Sequence, residues 1–234
     1  MNPLAENKFL RFCPKCNEEV LDKYGEIYWN RIHQIRGIYI CPIHKNPIYN
    51  STVSLEENKY RYIAATSDNC IVENEIKYET KVFEKLLNIA EDMYYILNNP
   101  KIKTNIKDQY LNQLKILGYA TVNGGLRQKR LITDFERFWG NEVLEMTHNT
   151  ITKTNNSNWL LEMGWDRPLT ADPVKHILLI RFLGLTPAEV FNQKIEYLPF
   201  GNPPYPCLNP VCIKYENEII ESVEIKNSYK TKSP

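Results

Sequence analysis

Cys13-Pro14-Lys15-Cys16 and Cys41-Pro42-Ile43-His44 stand in the first fifth of the chain, separated by 24 residues. Each C-x-x-C or C-x-x-H turn can aim both of its ligating side chains at one centre. Two such turns complete a tetrahedron of three sulfurs and one imidazole nitrogen. Thiolate and imidazole donors suit Zn²⁺, and four protein ligands leave no open coordination position, so one structural Zn²⁺ on Cys13, Cys16, Cys41 and His44 is the expected cofactor. The competing reading is two redox thiols beside an unrelated Cys and His. It draws on the long spacer, since paired knuckles usually lie about 12–20 residues apart. The start, MNPLAENKFLRF, has no apolar segment of a secretion signal, and no run approaches a membrane span. Reduced thiols in a cytosolic protein follow. The fold expected around this head is mainly α, with a small zinc-ribbon-like α+β module and helix-turn-helix-like helical subdomains.

Outward from the knuckles, the spacer predicts a short helix over Tyr24–Gln34 and an apolar strand, Ile38-Tyr39-Ile40, leading into Cys41. His33 is a tempting extra ligand, but four donors already close the shell. His33 and Gln34, with Trp29 and Arg31 beside them, are therefore read as hydrogen-bonding groups behind the ligands, or as contacts to nucleic acid or a partner. The zinc module is expected over residues 8–52. A connecting segment over 53–100 carries Val82, Phe83, Leu86, Leu87, Ala90, Met93, Tyr94 and Leu97 at helical spacing, which predicts a core-facing helix stopped by Asn98-Asn99-Pro100.

The net charge of +1 hides a local asymmetry. Between Lys101 and Leu131 stand Lys101, Lys103, Lys107, Lys115, Arg127, Lys129 and Arg130 against the single acid Asp108, which is the footprint phosphate neutralisation needs. A merely solvated basic face is the alternative. This subdomain, 101–150, predicts one amphipathic helix from Ile106 to Leu117, ended by Gly118, and a second from Leu126 to Trp139, ended by Gly140. The connector is longer than the three or four residues of a plain helix-turn-helix. Arg127, Gln128, Lys129 and Arg130 nevertheless fall in the first turn of the second helix, with Asn123 just upstream, where side chains can meet bases or phosphate. A second helical subdomain over 155–198 begins at the polar cap Asn156-Ser157-Asn158. It continues with a helix capped by Asp172-Pro173, a Gly184-Leu185 turn and a capping box at Thr186-Pro187-Ala188-Glu189. There His176 and Arg181 lie on the polar side, facing solvent or a ligand. Residues 199–234 read as a Pro/Gly-rich linker followed by Cys207 and Cys212, half of another metal site.

Catalysis is not expected. No H-x-E precedes a P-C-x-x-C, and the sequence has no Gly-Lys-Ser/Thr phosphate loop, no G-x-S-x-G and no H-E-x-x-H.

FCPKC and YGEIYWNRIHQIRGIYICPIH together resemble the signature of the TnsD/TniQ family of transposon target-selection proteins. LGYATVNGGLRQKRLITDFERFWG, SNWLLEMGWDRP, HILLIRFLGLTPAEVF and PPYPCLNPVC look like successive blocks of TnsD proteins, so the similarity runs from about Leu10 to Cys212. The resemblance implies a bacterial, nucleoid-associated protein that binds double-stranded DNA at an attachment site and recruits a AAA+ transposition regulator (TnsC-like). It also implies a helical segment ahead of the zinc module and a second cysteine pair after CLNPVC, neither of which this sequence carries. The chain is accordingly expected to be an internal or shortened portion. The other function class in view is a TniQ-like adaptor that docks on a regulator or guide complex without reading DNA.

Overall fold

Phe9–Phe12 forms β1 and Tyr49–Ser54 forms β2, an antiparallel pair in register Phe9↔Ser54, Arg11↔Asn50 and Phe12↔Tyr49, with an irregularity between Phe9 and Arg11. The computed structural model describes residues 7–56, 61–99, 106–151, 158–164 and 172–223. The ribbon turns straight into α1, Pro14–Tyr24. Pro14 suits the first helical position because its missing N–H would be unpaired there anyway. Gly25, at φ 77°, ends the helix by giving its N–H to the Leu21 carbonyl.

The helix predicted across Tyr24–Gln34 is instead a 3-10 turn, Arg31–Gln34, with the Asn30 side chain accepting from the Ile32 N–H. An isoleucine-rich run with tyrosine and tryptophan has little helical drive of its own, and Asn30 offers the backbone a cap there. Ile38-Tyr39-Ile40 is not a strand either. Among the described residues its one bridge joins Ile40 to Pro47 across the second knuckle. What occupies the open edge of β1 is a side chain. The Gln34 amide accepts from the Arg11 N–H at 3.0 Å and donates to the Arg11 carbonyl at 2.7 Å.

The helical body follows the predicted periodicities closely. Thr80–Asn98 is α2, Ile106–Ile116 is α3, Gln128–Trp139 is α4, and Asn141–Met146 is an unforeseen short α5 directly after Gly140. Trp159–Gly164 is α6, where the Asn158 side chain accepts from the Leu161 N–H. Pro173–Phe182 is α7, with Asp172 accepting from the Val174 N–H, and Pro187–Asn192 is α8, opened by the expected Thr186/Glu189 capping box. Among the described residues the chain is thus mainly helical, with a small antiparallel pair beside the Cys/His cluster.

Helix α7 sits at the centre. Val174, Ile177, Leu178, Leu179 and Ile180 are all buried, so the helix is apolar on nearly every side and α2, α4 and α8 pack around it. Helix α3 packs on α6 and α8, while α4 packs on α5 and α7. The α3–α4 connector is a tight hairpin in which Thr121 and Gly125 exchange bonds and the Arg127 N–H reaches the Tyr119 carbonyl at 2.8 Å. The loop around Gly37 and Tyr39 seats the head on this body. Tyr39 donates its hydroxyl to the Met146 carbonyl at 2.5 Å, and Gly37, at φ 77°, leaves only 3.3 Å between its would-be Cβ and Val174. A last pair, β3 (Tyr205–Pro206) with β4 (Glu218–Ile220), frames the Cys207–Cys212 turn.

Candidate metal centre and cationic face

The first knuckle is the junction of β1 and α1. Cys13 is the N-cap and Cys16 lies in the first turn, so both thiols gather at the positive end of a helix, where thiolates are favoured. The second knuckle is a closed turn. The Lys45 N–H bonds the Cys41 carbonyl at 2.8 Å, and the Cys41 N–H bonds the Asn46 carbonyl at 2.8 Å. The two turns bring the Cys13, Cys16 and Cys41 sulfurs and one nitrogen of His44 within 4.8 Å of one another.

These separations match a tetrahedral site. Zinc–sulfur bonds of about 2.3 Å and zinc–nitrogen bonds of about 2.0–2.1 Å put sulfurs about 3.8 Å apart and sulfur about 3.5 Å from nitrogen. Here Cys16 and Cys41 are 3.6 Å apart, and His44 Nδ1 lies 3.9, 3.2 and 3.8 Å from Cys13, Cys16 and Cys41. The donor set therefore fits a metal ion, and the three cysteines are free thiols rather than disulfides. Crowded thiols resist ionising together. The neighbouring Cys13 and Cys41 sulfurs, and then burial, push the Cys16 thiol up, whereas Cys41 is held low as the acceptor of Cys13 and Cys16. A divalent cation would let all three ionise.

Glu19, which with Glu18 reads in the sequence as an ordinary surface carboxylate, stands instead beside a candidate ligand. Its Oε1 lies 2.8 Å from His44 Nε2, off the N–H axis, and so forms a charge contact rather than a well-aligned hydrogen bond. From one turn along α1 it still favours the tautomer that leaves Nδ1 open to the metal. Its signal was the i+3 spacing from Cys16, readable only once α1 is known to be helical. Arg11 was also missed. It is buried, its Nη1 and Nη2 bond the Ile38 and Ile35 carbonyls at 2.8 and 2.5 Å, and burial lowers its pKa to about 10.

The four residues expected near the ligands separate. His33 is buried, with Nε2 3.8 Å from Cys16 Sγ. Gln34 serves β1 as described. Trp29 gives its indole N–H to the Ile63 carbonyl at 2.7 Å, and Arg31 reaches the Leu97 carbonyl and Asn98 at the end of α2. Cys207 and Cys212 share a turn, with the Cys212 N–H on the Asn209 carbonyl at 3.0 Å. Among the described residues they belong to no cluster of three ligand-type side chains.

Three members of the basic stripe, Arg127, Lys129 and Arg130, stand together at the start of α4. Arg127 precedes the helix, Gln128, Lys129 and Arg130 fill its first turn with no acid among them, and Arg127, Lys129, Arg130 and Asn123 are exposed. Arg130 is partly held, lying over the Tyr119 ring at 5.1 Å and 3.7 Å from Asp134. Lys107 is on α3, whereas Lys101 and Lys103 lie outside the described residues. Arg181 and His176 do not face solvent as a pair of free groups. Arg181 grips Asp92 with two bonds of 2.5 and 2.6 Å, and His176 Nδ1 is 2.9 Å from the Tyr110 hydroxyl. Among the described residues no helix is long and apolar enough to cross a membrane.

A family model described as Tn7-like transposition protein D matches residues 89–234, and one described as TniQ matches residues 3–47. No curated protein matches the chain.

Proposed function

Since the chain belongs to the family of Tn7-like transposition protein D, we propose that it is a non-enzymatic target-selection protein that binds double-stranded DNA at an attachment site and recruits a AAA+ regulator. In this reading Cys13, Cys16, Cys41 and His44 hold one structural Zn²⁺. The ion supplies folding energy to the head and takes no part in a reaction. The observation that carries the DNA role is the exposed, acid-free first turn of α4, where Arg127, Lys129 and Arg130 share the positive end of a helix. Such a turn offers charge to phosphate and, through Gln128 and Asn123, amides able to pair with a base edge.

The test is fluorescence anisotropy on duplex DNA over a salt series. Arg127→Ala and Lys129→Ala should each weaken binding, and the log–log salt slope should flatten by roughly 0.9 per lost phosphate contact. Slopes equal to that of the unaltered chain would remove α4 from the DNA surface.

A second reading rests on Tyr24, Tyr28 and Tyr62, exposed around the loop that Trp29 ties to Ile63. Exposed tyrosines are frequent anchors of protein interfaces. An adaptor built on them would capture the regulator in a pull-down, while its duplex affinity would stay at the non-specific level of about 10⁻⁴–10⁻⁶ M.

A further inference from the structure

We infer that His33 donates its Nε2–H to the Cys16 thiolate and offsets the excess negative charge of the metal centre, a positioning role distinct from ligation. Three thiolates and one neutral imidazole around a divalent cation leave one net negative charge. That charge sits in a head where Cys13 and Cys41 are fully buried and Cys16 nearly so. A buried charge of this kind needs N–H donors on its sulfurs. His33 is the buried side chain placed to give one. It is 1% exposed, and its Nε2 is 3.8 Å from Cys16 Sγ, within reach of a weak N–H···S contact.

The backbone that carries its ring is pinned. The His33 N–H bonds the Asn30 carbonyl at 3.1 Å, Asn30 caps the 3-10 turn, and the adjoining Gln34 is fastened to both backbone groups of Arg11. The fourth ligand position is already filled by His44, whose Nδ1 lies within 3.9 Å of all three sulfurs. The proton donated to Cys16 is thus assigned to Nε2 of His33, while His44 presents Nδ1 to the metal. A donor on one thiolate lowers its electron density, which slows attack on it and loss of the ion. This rests on the metal part of the proposed function and is independent of the DNA part.

Long-range ¹H–¹⁵N spectra of the zinc-loaded full chain test it directly. The expected result is a protonated Nε2 on His33 and a metal-shifted Nδ1 on His44. An unprotonated or metal-bound Nε2 on His33 overturns the assignment. A His44 without a metal shift overturns the metal reading itself. Cobalt substitution then separates donation from packing. His33→Met, which is similar in length but lacks the donor, should move the sulfur-to-cobalt charge-transfer band to longer wavelength and speed zinc release to a chelator by about tenfold or more. His33→Gln, which returns an N–H near the Nε2 position, should restore both. A His33→Met chain that behaves as the unaltered one, or a His33→Gln chain as impaired as His33→Met, overturns the role. If His33→Met fails to fold, the ¹⁵N spectrum and the His33→Gln chain decide.

Discussion

Arg181 and Asp92 show how one residue can look like a ligand-binding group and be part of the frame. Asp92 is 4% exposed on α2, and burial holds its carboxyl above the usual range although the Arg181 guanidinium pulls the other way. Arg181→Met would leave a buried carboxylate without its partner, and urea unfolding at neutral pH should show a loss of about 3–5 kcal/mol. The sign of the pH dependence follows from the raised carboxyl. A folded-state pKa above the unfolded one means the native chain binds more protons, so its contribution is complete below the unfolded value near 3.8 and is lost as pH rises through the folded value. With Arg181 gone the folded value climbs further, so the deficit of Arg181→Met should shrink on acidification and grow toward neutral pH. A deficit that is flat or larger in acid would show that Asp92 is not the group responsible. His176 behaves oppositely, since burial lowers its pKa and keeps it neutral against Tyr110.

At the level of elements, the loop carrying Gly37 is one of the seats by which the head meets the body. A side chain at φ 77° costs about 1–2 kcal/mol, and a Cβ would also stand 3.3 Å from Val174 Cγ2. Gly37→Ala should therefore destabilise the chain in thermal melts. In a Val174→Ala background the same Gly37→Ala change should cost less, by the crowding part, with the backbone part remaining. Equal melting of Gly37→Ala and the unaltered chain would mean that the loop is not seated on α7. Such elements differ in how clearly the sequence announces them. Helices α2, α3, α4, α7 and α8 were legible because apolar residues recur at helical spacing and Gly118, Gly140, Asp172 and Thr186 mark their ends. The Cys/His cluster was legible because the spacing within each knuckle lets its two side chains converge. Helix α1 was not, since its polar surface carries only Cys16 inward, and α5 was hidden by starting on the very glycine that ends α4. The 3-10 turn, the missing strand at Ile38–Ile40 and the work of Gln34 depend on partners distant in sequence. No local period encodes those.

Across the whole molecule, one apolar core runs from Cys13, Ile32 and Ile40 in the head through α2 and α7 to Val190. Metal ligation contributes on the order of 10 kcal/mol to small modules of this type. Cys41→Ser, or removal of the ion with a chelator, should open residues 7–56 to protease. It should also lower the melting temperature of the helical body, which loses the Tyr39 and Gly37 contacts, while far-ultraviolet circular dichroism keeps most of its helical signal. Elemental analysis should return close to one zinc per chain. Iron, no metal, or unchanged proteolysis on chelation would overturn the structural role of the ion.

The amide of Gln34 has one more effect, on behaviour in a crowd rather than on folding. A two-stranded ribbon ordinarily leaves both flanks able to recruit another strand, and flat uncovered flanks are where chains stick together. Here the outer flank of β1 is already occupied at Arg11, by a side chain that cannot be extended into a further strand. Strand addition from a neighbouring molecule is therefore blocked at Arg11 on that flank.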